Sequence, residues 1–167
     1  MFLSKLKKRS LKKSNYNKVF NNLNSICDCL DYIYSINSGG CCYIAYIMAD
    51  ILEREGFEFD VLIIPNPEVD MPENFSDFTG ATEHVCLRVT TNNNVYLVNC
   101  TEDYDEDDYI AYYKVSSKDI LNYYKSWKWN CIYDVARNKF IKYIINLIYD
   151  NFSSSLREKR WNSTSEW

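Results

Sequence analysis

The stretch Ser38-Gly39-Gly40-Cys41-Cys42-Tyr43-Ile44-Ala45 decides how the rest of the chain is read. Two glycines clear the approach of side chains. After them Ile44, Ile47, Met48, Ile51 and Leu52 recur at the i, i+3, i+4, i+7, i+8 spacing of a helix buried along one side. Gly56 marks its C-terminal cap. A thiol therefore stands in the first turn of a helix. There the partial positive charge favours thiolate, the nucleophilic form, and the N–H groups of the same turn can stabilise a developing oxyanion.

Downstream, Phe57 to Ile64 reads as a strand, buried on both faces at Val61 to Ile64. Pro65, Pro67 and Pro72 open a long loop to Gly80, of the length that is usually functional or mobile. Glu83 to Val89 alternates as a strand, Asn92-Asn93-Asn94 makes a turn, and Val95 to Cys100 returns as the hairpin partner. A further strand is expected over Tyr109 to Val115. Ser116 with Asp119 has the form of a capping box opening a helix to about Trp127, and another helix is expected from about Tyr133 to Phe152. Upstream, Val19, Phe20, Leu23, Ile26, Leu30 and Ile33 predict a helix from Tyr16 to about Ile36. Together these elements make an α+β fold: the Cys41 helix packed on an antiparallel sheet, with further helices at both ends. Residues 1–14 read as a basic N-terminal arm, 15–152 as a single domain and 153–167 as a polar C-terminal tail.

The 167 residues are 47% hydrophobic and 25% charged, the balance of a globular chain. A net charge of −4 argues against a general nucleic-acid binder, but the charge is uneven. Lys5, Lys7, Lys8, Arg9, Lys12, Lys13 and Lys18 all precede the first acid, Asp28, so the arm reads as a solvated, poorly ordered terminus, with a membrane surface, nucleic acid or acidic partner as the alternative. Glu102 to Asp108 holds six carboxylates in seven positions. It lacks the glycine and the terminal glutamate of an EF-hand loop and reads as a solvated acidic loop, so no metal or cofactor is expected. Seven cysteines without an apolar N-terminal run point to a reducing, cytoplasmic setting. No stretch is apolar enough for a transmembrane helix.

A cysteine nucleophile needs a base, and the base needs a third group to fix its tautomer. The only histidine, His84, opens a strand, and Asn99 lies fifteen residues on, near the end of the returning strand. A short turn sets those two ends side by side, so that the Asn99 amide accepts from one imidazole nitrogen and the other faces the thiol. Cys41, His84 and Asn99 are the candidate catalytic residues. The backbone N–H of Cys41, with Asn37 as the nearest upstream amide, is the candidate oxyanion hole. Cys42, turned about 100° around the helix, is expected to be a packing residue.

The pattern Gly39, Cys41, Ala45, Gly56, then His84, then Asn99-Cys100-Thr101 resembles the papain-like core of the transglutaminase-like cysteine hydrolase superfamily, including small bacterial and phage members with a GGC helix and an HV strand. The third position is Asn, as in papain-like proteases, where transglutaminase-like members have Asp. The resemblance covers residues 37 to 101 and sets the register on Cys41, with Ala45 four residues on and Gly56 fifteen on. It implies a papain-like fold and a thiol hydrolase or acyltransferase acting at an amide or thioester carbonyl of a protein or peptide-like substrate. The rival reading is a catalytically silent papain-like fold that binds another protein, as a viral or mobile-element effector does.

Overall fold

The apolar patterns resolve, among the described residues, into four helices and four strands: α1 (Phe2–Tyr34), α2 (Cys41–Arg54), β1 (Glu58–Pro65), β2 (Thr82–Thr91), β3 (Asn94–Val98), β4 (Ile110–Tyr112), α3 (Ser117–Trp127) and α4 (Lys139–Thr164). The structure is a computed structural model and describes residues 2–34, 40–78, 80, 82–91, 94–101, 104–127 and 139–164. The strands form one antiparallel sheet in the order β3-β2-β1-β4, giving an α+β fold.

Register divides the sheet into two rows. Val61 pairs with Leu87 and Tyr112, Ile63 with Val85, and Leu87 with Val98. These residues share one buried cluster with Ile44, Ala45, Met48, Ile51 and Leu52 of α2. The same cluster takes in Phe20, Leu23, Cys27 and Leu30 of α1 and Ile145, Tyr149, Phe152 and Leu156 of α4. The Phe20 ring stacks on Tyr96 of β3 at 4.4 Å between centroids, which fixes α1 against the β3 edge.

Helix α2 ends as its sequence predicts. Gly56 takes the left-handed conformation, φ 70°, that glycine adopts without a Cβ penalty. Its N–H bonds to the Glu53 carbonyl and that of Phe57 to the Leu52 carbonyl, the paired bonds of a Schellman cap. The chain therefore reverses tightly from α2 into β1. Glu53 also reaches across to α3, its carboxylate accepting from the Ser117 backbone N–H at 2.8 Å and from the Ser117 hydroxyl at 2.6 Å. A negative charge there suits the positive end of the α3 dipole. The Ser116–Asp119 capping box forms in both directions, Ser116 N–H to the Asp119 carboxylate and Asp119 N–H to the Ser116 hydroxyl.

Strand β3 stops at Val98, short of the expected Cys100, and three other boundaries differ by more. Helix α1 begins at Phe2, ahead of the Tyr16 start that the apolar spacing predicts. Strand β4 is three residues long, because Tyr113 is exposed and Lys114 turns the chain at φ 58°. Helix α4 continues beyond Phe152 as far as Thr164, into the segment expected to be a polar tail. This continuation has a packing cause. Ile145, Tyr149, Phe152 and Leu156 keep helical spacing and all are buried, and Ser153 donates its hydroxyl to Glu55 at 3.0 Å. The polar residues around Leu156 hide this stripe in the sequence.

The long connection between β1 and β2 is pinned by aromatic side chains. Phe75 and Phe78 are buried, Phe75 against Tyr112 and Tyr123 and Phe78 against Tyr123. The Tyr112 hydroxyl donates to the Pro72 carbonyl and the Tyr123 hydroxyl to the Gly80 carbonyl, each at 2.8 Å.

Candidate active site

Chain reversal at Gly56 lays α2 antiparallel to β1, so the start of α2 lies toward the end of β1. At that end Ile64 pairs with His84 near the start of β2, and β3 runs out at Val98. The topology sets His84 and Asn99 together at that end of the sheet, while Cys41 opens α2 inside the buried cluster. Cys41 is the first residue of α2, and its N-cap, Gly40, supplies no capping side chain. Cys41 is only 1% exposed. Cys42 is fully buried, and its thiol donates to the Ile120 carbonyl at 3.8 Å, the contact of a packing residue. Asn37, the second oxyanion donor expected from the sequence, lies outside the described residues, as do Ser38 and Gly39.

His84 is 2% exposed and its Nε2 bonds to the backbone carbonyl of Asn99. A carbonyl only accepts, so Nε2 carries the hydrogen and the neutral ring keeps Nδ1 as its acceptor. Burial lowers the His84 pKa from its ordinary value, against the opposing pull of the Asn99 carbonyl and the Asp31 charge. The spacing of the sequence assigns the orienting contact to the Asn99 side-chain amide; in the structure the main chain makes it. Asn99 stands at φ 60°, a left-handed conformation that asparagine tolerates better than most residues.

Row alternation separates His84 from its neighbours. Val85, Leu87 and Val89 belong to the cluster that holds Cys41, while His84 and Cys86 alternate with them along β2. The pairing of β1 with β2 is irregular between Ile64 and Pro65, beside His84, and bulges of this kind re-aim side chains.

Two features escape a reading of the sequence alone. Cys86 and Cys100 form a disulfide, with Cα atoms 5.3 Å apart. The bond sits uneasily with the reducing compartment expected from the cysteine count. A signal was present, since the two cysteines lie equally far on either side of Asn93, the centre of the asparagine run. The second is Asn24 of α1, whose amide bonds to both Leu97 and Asn99. Nothing in its helical context marks it.

Within the acidic run, Glu106–Asp108 forms a short helical turn, closed by the Asp105 N–H on the Asp108 carboxylate at 2.8 Å. Among the described residues, no cluster of His, Cys, Asp or Glu is arranged to hold a metal ion, and no helix is long and apolar enough to cross a membrane. No protein-family model, curated protein or solved structure matches the chain.

Proposed function

We propose that the chain is a cysteine-dependent hydrolase or acyltransferase of papain-like type, acting on an amide or thioester carbonyl of a protein or peptide-like substrate. The observation that carries this reading is the His84 ring, anchored at Nε2 by the Asn99 carbonyl so that Nδ1 remains the basic nitrogen. In the reaction the Cys41 sulfur bonds to the carbonyl carbon and the carbonyl electron pair moves to oxygen. His84 takes the thiol proton and returns it to the leaving amine or thiol as the carbon–heteroatom bond breaks. Water or an amine then attacks the thioester carbon, giving its proton to His84, and the carbon–sulfur bond breaks so that Cys41 leaves and recovers that proton. The N–H groups at the start of α2 are the oxyanion donors in this scheme, with Asn37 as the second.

A protein-binding role is the second reading, and the burial of Cys41 favours it, since a thiol in apolar surroundings is inert. Iodoacetamide labelling at pH 6, read by peptide mass, separates the two. The enzyme reading expects Cys41 to label ahead of Cys42 and the exposed Cys29, and expects His84→Ala to remove that fast phase. Uniformly slow labelling of Cys41, unchanged by His84→Ala, refutes the catalytic role.

A further inference from the structure

We infer that Asn24 is a positioning residue for His84, acting through the end of strand β3. This rests on the proposed role of His84 only for its catalytic consequence; the positioning itself stands on the hydrogen bonds. β3 is an edge strand, so among the described residues one side of its backbone has no ladder partner. Asn24 occupies that side. Its Nδ2 donates to the Leu97 carbonyl at 2.8 Å, and its Oδ1 accepts from the Asn99 N–H at 3.0 Å. A primary amide offers the donor and acceptor of a peptide group, and here it serves as one unit of an additional strand.

The consequence falls on the next atoms of the chain. Asn99 turns into the left-handed region directly after this clamp, and its carbonyl receives the His84 Nε2–H. Holding the Asn99 N–H fixes the residue whose carbonyl orients the ring. Both bonds of the Asn24 amide go to backbone, one to Leu97 in β3 and one to Asn99 just beyond it, so its effect on the imidazole passes through Asn99.

The only histidine gives the test an unambiguous probe. Imidazole 15N shifts of the full chain report the His84 tautomer, and amide exchange reports the Asn99 N–H. Wild type is expected to hold the Nε2–H tautomer at neutral pH. Asn24→Leu, close in size but without the amide, is expected to mix the two tautomers and to speed Asn99 exchange about tenfold, the loss of one hydrogen bond. Asn24→Asp keeps the acceptor for Asn99 and should retain much of the wild-type tautomer, which also covers failure of the leucine variant to fold. A folded Asn24→Leu chain with the wild-type tautomer and exchange rate overturns the inference, as does an Asn24→Asp chain that has lost the tautomer. Failure of the enzyme reading appears elsewhere, in Cys41 labelling of the otherwise unaltered chain.

Discussion

Reduction of the Cys86–Cys100 bond is expected to cost the fold about 3 kcal/mol. The two residues are 14 apart in sequence, so the bridge closes a loop of about 15 residues, and the chain-entropy relation gives about 3 kcal/mol for such a loop at 25 °C. For a domain of this size that corresponds to a fall in Tm of roughly 6–12 °C. The bridge ties β2 to the residue after Asn99, so the His84–Asn99 bond should loosen along with it. Urea unfolding at pH 7 with and without dithiothreitol measures the effect. The Cys86→Ala/Cys100→Ala double variant is the control, since a chain without the bridge should give no response to reductant. An unchanged midpoint for the wild-type chain on reduction, with the bond shown to be cleaved by mass, would refute the reasoning.

The remaining expectations concern pH and the end of the chain. His84 binds its proton less readily when folded, while the unfolded chain takes one up near its ordinary value of 6.5. Between the two values the unfolded state holds more protons, so stability should fall as pH drops through that window, and His84→Gln should flatten the slope in urea titrations; an identical slope in the variant sinks this assignment. Leu156→Ala should destabilise the chain by about 2–5 kcal/mol, because the side chain is 1% exposed in the common core, and a loss near zero would show that the end of α4 does not pack there.

Periodicity made most of the fold legible. The Ile44 to Leu52 stripe and the paired signals at Gly56 and Ser116–Asp119 each express a local rule that the tertiary structure does not override, whereas β2 forms as expected but is buried on both faces from His84 to Leu87. What stayed hidden depends on contacts between distant segments. Leu156 follows a stripe diluted by serines and charges, and Asn24 is one polar residue among many on a long helix, given meaning only by the β3 edge it meets.

Asn99 shows how a position can be found for one reason and used for another. The spacing from His84 pointed to it as the orienting amide, and the orienting atom is its main-chain carbonyl. A carbonyl belongs to every residue, so the contact alone does not require asparagine. The backbone favours it: at φ 60° most residues other than glycine are disfavoured, and asparagine adopts the conformation more readily than most, although Lys114 holds φ 58° elsewhere in the chain. The turn into that conformation is what aims the carbonyl at the imidazole. Residue type at this position therefore agrees with a backbone preference, and the tautomer of His84 follows from the path of the chain.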